Sequence, residues 1–192
     1  MNLRLVETKI PGCFELQARQ LQDDRGAFVK TYHHDWFESH GLRTDWAEQY
    51  YSVSQPGVVR GLHFQLPPHD HAKLVYCVAG RVLDVALDLR KGSPTYGEHI
   101  RLDLSAEQGN MLYLPPGLAH GFSTYDEPAT MVYNVTSVYH PESDTGIHWN
   151  SAGIEWLQKR PNLSNRDQGF PKLSTFETPF VFDVVGKAET NA

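Results

Sequence analysis

Cysteine is scarce in this chain. Cys13 and Cys77 are the only two in 192 residues, with neither a C-x-x-C pairing nor metal-ligand spacing. That argues against a disulfide framework, and a reducing cytoplasm is the compartment expected. Long apolar runs are also missing. No uninterrupted stretch reaches the length that crosses a bilayer, so no membrane contact is expected. The segment Met1 to Glu7 breaks its apolar character with charges too early for a signal peptide. Positive charge is in deficit, with 17 Lys and Arg against 23 Asp and Glu and a formal charge of -6. This balance argues against a nucleic-acid surface, and any phosphate site must be a local cluster of Arg and Lys. Repeats, low-complexity tracts and linkers are absent too. The length suits one domain with a full core, expected over 1–183, followed by a loose tail over 184–192.

Helix signals are few. The best is Asp35 to His40, stopped by Gly41, and a second short one is expected near Gly153 to Leu157. Strand signals dominate the middle of the chain. From Arg81 to Arg90, Leu83, Val85, Leu87 and Leu89 alternate with Val82, Asp84, Ala86 and Asp88. Asp84 and Asp88 therefore share a face, turned to solvent (the commoner arrangement for a lone strand) or into a polar cavity. Further short strands are predicted at His99–Leu104, Met111–Leu114 and Met131–Tyr139, with Thr175–Phe182 as an edge strand. Their spacing, with Pro and Gly between them, predicts an all-β sandwich or barrel with a few short helices.

The run Arg60-Gly61-Leu62-His63-Phe64-Gln65, with Lys73 downstream, carries the chemistry. A histidine accepts a proton near neutral pH, and Arg and Lys hold phosphate or a developing oxyanion. A base beside an anion holder is what proton abstraction next to a carbonyl requires. The same residues fit equally a packed histidine between two surface cations. Tyr133 supplies a candidate acid, or else a core phenol whose hydroxyl is satisfied by a neighbour. A carboxylate that fixes the tautomer of His63 has two candidates, Asp84 and Asp167, between which spacing does not choose.

The segment Gly109 to His120, with Pro115, Gly117 and His120, resembles the second motif of the cupins, which are double-stranded β-helix (jelly-roll) proteins. Many cupins bind a metal, and His69, His71 and His120 are the candidate ligands here. The position that should carry the metal's Glu lies in Ala72-Lys73-Leu74, however, and an ammonium repels a dication. The expectation is a jelly roll with no metal site, a metal-dependent cupin enzyme being the alternative.

A wider set of motifs resembles the dTDP-4-dehydrorhamnose 3,5-epimerase family. The set comprises Asp24-Arg25-Gly26, Val58 to Gln65, Lys73-Leu74-Val75, Asp84 to Asp88, Gly92 to Gly97, Leu104 to Glu107, Pro116 to Phe122 and Gly146 to Trp149. The resemblance runs from about Ile10 to Pro171. It implies a cupin-type jelly roll that works as a homodimer without metal or organic cofactor. The implied substrate is a nucleotide-diphospho-4-keto-6-deoxyhexose, inverted at C3, C5 or both through an enolate. By matching position it makes His63 the base, Asp167 its partner, Tyr133 the acid and Lys73 the enolate holder. It also makes Arg60 and Arg25 the diphosphate contacts, places His120 and Asp84 beside the base, and implies that Arg25 serves the neighbouring subunit's cavity.

The recognition shell departs from the family pattern. Where Gln-x-Asn-x-Ser is usual, this chain has Glu48-Gln49-Tyr50-Tyr51-Ser52. Leu21 stands where an aromatic is expected near the nucleobase, and Lys30 where an acid is expected. A CDP- or GDP-linked sugar, or a different sugar, is the alternative that these changes raise, and the resemblance itself leaves open inversion at a single centre.

Overall fold

The computed structural model describes residues 3–183, so the expected tail over 184–192 lies outside the described residues. Among the described residues the chain forms thirteen strands, two short α-helices and one 3-10 turn. A six-stranded antiparallel sheet contains β1 (Leu3–Glu7), β2 (Phe14–Ala18), β10 (Asn110–Leu114), β7 (Lys73–Ala79), β12 (Ala129–Val135) and β5 (Glu48–Ser54), in that order. A five-stranded sheet orders β13 (Asp144–Gly146), β6 (Val59–Gln65), β11 (Leu118–Thr124), β8 (Arg81–Asp88) and β9 (His99–Ser105). From β5 to β13 the chain changes sheet at every connection except β8 to β9, which is the interleaving of a jelly roll. A separate hairpin, β3 (Gln20–Asp23) with β4 (Gly26–Val29), belongs to neither sheet. No helix among the described residues is long and apolar enough to cross a membrane.

Sequence pattern explains why these strands stack. Along β12 buried and half-buried residues alternate without a break, so Met131, Tyr133 and Val135 point inward. They meet Val75, Val82, Ala86, Leu112 and Phe122 in a core shared by both sheets. The outer face of the six-stranded sheet is covered by Tyr32, Trp46 and α1 (His34–Ser39), whose Phe37 is fully buried. That helix lies within a residue of the predicted span and ends at Gly41, whose positive φ of 68° suits a residue without Cβ.

Strand β8 differs from expectation. Asp84 and Asp88 are both completely buried, which overturns the solvent-facing arrangement. Val82 and Ala86 pack between the sheets, while Val85, Leu87 and Leu89 lie under Ile154, Phe176 and Phe180 from the C-terminal region. Both faces are thus covered. Asp88 accepts hydrogen bonds from Arg90 (Nε 2.9 Å, Nη2 2.8 Å), Ser93 (2.7 Å) and Thr95 (2.8 Å), which compensates the burial of its charge.

The C-terminal region also corrects two expected elements. No helix forms over 153–157, where Ile154 packs into the core as irregular chain. Helix α2 instead spans Asn165–Gln168, and a 3-10 turn spans Leu173–Thr175. Thr175–Phe182 is not a strand. It makes one bridge, Val181 to Lys91, and is anchored by Phe176 and Phe180 against Phe64.

Candidate active site

Between the two sheets lies a cavity of about 420 Å³. Its wall contains Glu48, Tyr50 and Ser52 from β5, Arg60 and His63 from β6, Lys73 from β7, His120 from β11 and Tyr133 from β12. Seven of the ten residues singled out from sequence therefore line one cavity, from strands of both sheets. Asp84 and Asp167 stand directly behind it. Arg25 is elsewhere.

Close backbone approach builds the floor. His63 on β6 pairs in register with His120 on β11. One turn of the pleat away, a Cβ on Gly61 would sit 2.6 Å from the Gly121 Cα, and one on Gly121 would sit 2.6 Å from the Arg60 oxygen. Only glycines let the strands come this close. Each histidine is then backed by its own carboxylate. His120 Nε2 lies 2.8 Å from Asp84 Oδ2, and His63 Nε2 lies 2.9 Å from Asp167 Oδ1.

Asp167 is delivered by α2. Ser164 caps that helix, its hydroxyl accepting from the Asp167 amide at 3.1 Å. The second Asp167 oxygen accepts from the Gly61 amide at 3.1 Å. Burial pushes the Asp167 carboxyl up, but His63, Gly61 and Ser164 outweigh it and hold the group at about 2. An ionised Asp167 requires a proton on His63 Nε2, which leaves Nδ1 as the basic nitrogen. Burial also lowers the His63 pKa, partly offset by Asp167, so the ring is neutral at pH 7. The pair is a tautomer-fixed imidazole over a carboxylate. Asp84 is the other kind of partner: complete burial raises its pKa, opposed by His120 and Lys73.

Lys73 is buried, and its Nζ donates to the His63 carbonyl at 3.1 Å. Burial brings its ammonium down to about 8, against the pull of Asp144 and Asp84. Tyr133 donates to or accepts from Ser52 Oγ at 3.0 Å, and burial raises its phenol well above the ordinary range. Arg60 Nε donates to Ser54 Oγ at 2.9 Å. Glu48 accepts from the Tyr139 amide at 2.8 Å, which fixes its carboxylate at the rim.

Several wall residues were not singled out from sequence. Arg166 pairs with Asp144, reaches Asp167 Oδ1 at 3.5 Å and lies over the Phe170 ring. Its position beside Asp167 on a one-turn helix was the available signal. Gln65 clamps two rim loops, donating to the carbonyls of His69 and Val138 and accepting from the His140 amide.

The proposed metal ligands do not converge. His120 is engaged by Asp84, His71 by Gln65, and His69 stacks on His140 with centroids 3.4 Å apart. Among the described residues, one group of metal-ligating side chains has its donor atoms within 4.8 Å of one another: His69, His140 and Glu142. Its two imidazoles are stacked, with ring planes 14° apart.

Arg25 sits on the β3–β4 hairpin, exposed and bound to Asp23, with Leu21 on the same hairpin. It does not line the cavity of its own chain. Lys30 directly follows β4 and is exposed.

Comparison with known proteins places the chain in a family. The family model described as dTDP-4-dehydrorhamnose 3,5-epimerase matches residues 7–175. A dTDP-4-dehydrorhamnose 3,5-epimerase of Salmonella typhimurium is 40% identical over 173 residues, covering 88% of this chain and 94% of the relative. A dTDP-4-dehydrorhamnose 3-epimerase of Streptomyces niveus is 42% identical over 171 residues, covering 86% and 82%. The crystal structure of a dTDP-6-deoxy-D-glucose-3,5-epimerase from Legionella pneumophila, in complex with dTDP-4-keto-L-rhamnose, superposes with a TM-score of 0.87. It is 33% identical and covers 92% of this chain and 95% of its own. With its cupin-type jelly roll and a match over most of its length, the chain belongs to the dTDP-4-dehydrorhamnose 3,5-epimerase family.

Proposed function

We propose that this protein is an isomerase that epimerises a dTDP-linked 4-keto-6-deoxyhexose in deoxysugar biosynthesis. The observation that carries the reading is the His63–Asp167 pair facing the cavity from the five-stranded sheet, with Lys73 and Tyr133 lining it from the six-stranded sheet. The C4 ketone acidifies the hydrogens on C3 and C5. His63 Nδ1 takes one of them and becomes an imidazolium facing Asp167. The electron pair moves onto the ketone oxygen, and the Lys73 ammonium stabilises that enolate. Tyr133 returns a proton from its hydroxyl to the opposite face of the same carbon, inverting it, and solvent exchange resets both groups. Every proton and charge is accounted for by side chains of the chain, so the scheme calls on no metal or organic cofactor. Arg60 binds diphosphate, while Glu48 and Tyr50 stand where the family pattern has amides beside the nucleotide or sugar.

The test is an NMR assay in D2O with 4-keto-6-deoxyglucose carried on dTDP, CDP and GDP in parallel. Turnover of the dTDP sugar with deuterium at C3, C5 or both is expected. Folded protein that leaves both carbons unlabelled on dTDP would falsify the reading, and faster labelling on CDP or GDP would reassign the nucleotide.

The proposal includes a homodimer with shared sites. What supports it is the exposed β3–β4 hairpin, which presents Leu21 and Phe28 at 55% and 60% exposure beside Arg25. A two-stranded ribbon of that kind is stable when something covers it. If a second copy does, Arg25 enters the partner subunit's cavity. Mixing His63→Ala with Arg25→Ala subunits should then restore about one quarter of the wild-type activity, since half the dimers carry one intact site of two. Mixtures no more active than the separate variants would place Arg25 outside the partner's site.

A further inference from the structure

Relatives of nearly equal similarity include a 3,5-epimerase and a 3-epimerase. Something besides the base and its carboxylate must therefore decide which carbons are inverted. The direction of the returning proton is the natural place for that decision. In this chain the group that returns it is held on several sides.

Strand β5 sends Glu48, Tyr50 and Ser52 to the cavity side, while Tyr51 and Val53 face outward at 71% and 54% exposure. Tyr50 is directly opposite Tyr133 in the β5–β12 register. Their rings stack with centroids 4.8 Å apart and planes 17° apart. The Tyr133 hydroxyl is held at 3.0 Å by Ser52 Oγ, two residues along the same strand. The His120 ring meets Tyr133 edge-on, 6.1 Å away at 75°. One face, one edge and the hydroxyl of Tyr133 are all occupied, so little rotation about its side-chain bonds is left. An amide at position 50, as the family pattern has it, offers no aromatic face for this stack.

We propose that Tyr50, assisted by Ser52, is a positioning residue that fixes the direction of the Tyr133 hydroxyl and so restricts inversion to one of the two carbons beside the ketone. The inference rests on the epimerase reading. C3 and C5 lie on opposite sides of the C4 carbonyl, and inverting both requires the acid to reach a new carbon after the sugar turns. A phenol locked by stacking and by a hydroxyl serves one of these positions and not the other.

The experiment compares wild type, Tyr50→Leu, Tyr50→Phe and Ser52→Ala in D2O with dTDP-4-keto-6-deoxyglucose. Product configuration and deuterium at C3 and C5 are read by NMR, and folding is checked by thermal melting. Wild type should invert one carbon with strong preference. Tyr50→Leu should raise the share of the other carbon by about three- to tenfold, the weight of one stacked aromatic pair. Ser52→Ala should move the ratio in the same direction, and Tyr50→Phe, which keeps the ring, should retain the wild-type preference. A wild type that inverts both carbons at similar rates overturns the inference. So does a wild-type ratio in both Tyr50→Leu and Ser52→Ala, or in Ser52→Ala alone should Tyr50→Leu not fold. Labelling at neither carbon by wild type removes the epimerase reading itself, and this inference with it.

Discussion

Replacing His63 with alanine is expected to lower kcat by roughly 10²- to 10⁴-fold, the range for loss of a positioned general base. The chain should still fold. Asp167 loses one hydrogen bond but keeps the Gly61 amide, so the stability cost is on the order of 1–2 kcal/mol. That is too little to unfold an ordinary domain. The pH profile separates the chemistry from simple damage. In wild type kcat/KM should fall as acid protonates His63, and because burial lowers its pKa this limb lies below the usual imidazole range. In His63→Ala the limb should be gone and the residual rate insensitive to pH there. Stopped assays across pH 4–8, with circular dichroism to confirm folding, decide the matter. A folded His63→Ala variant with undiminished turnover would end the assignment.

How much of this was legible in the sequence depends on distance along the chain. The strand expected over Met131 to Tyr139 was readable as far as Val135, where β12 ends, because its period is local, and so was α1, with its stop at Gly41. The burial of Asp84 and Asp88 was not. It depends on the six-stranded sheet covering the face that Asp84 and Asp88 share with Val82 and Ala86, and nothing near residue 84 announces which strands will lie over it. The choice between Asp84 and Asp167 as partner of His63 shows the same limit. Asp84 is closer in sequence yet serves His120, while Asp167 reaches His63 across a separation of 104 residues. The family resemblance was legible from eight motifs in order, two of which, the Arg60 run and Pro116 to Phe122, hold the glycines that bring β6 and β11 together. Ring stacking between Tyr50 and Tyr133 needed the β5–β12 register, which only the folded sheet supplies. From sequence Tyr50 was a departure from a pattern; in the fold it touches the proposed acid.

Lys73 gives the second large effect, with opposite signs for activity and stability. Lys73→Met should reduce kcat by about 10²- to 10³-fold, the usual loss when a donor to a developing oxyanion is removed. In wild type the ammonium is held at about 8, so kcat/KM should fall above that pH as the enolate loses its cation. Stability runs the other way. The unfolded lysine keeps its proton up to its ordinary value of 10.5, whereas the folded one releases it from about 8. Between those values the unfolded chain binds more protons, so rising pH favours the folded state by up to about 3 kcal/mol from this group. Below pH 8 the folded protein bears the whole cost of a buried charge, offset in part by Asp144 and Asp84. Methionine carries no such cost, so Lys73→Met should exceed wild type in stability at pH 7, with the difference shrinking toward pH 10. The two proteins share every other titrating group, and the comparison cancels them. Urea unfolding of the pair at pH 7 and pH 9.5, beside the wild-type rate profile, tests both halves. A rate flat to pH 10, or a stability gap that widens with pH, would mean that the Lys73 charge is neither used by the reaction nor strained by burial.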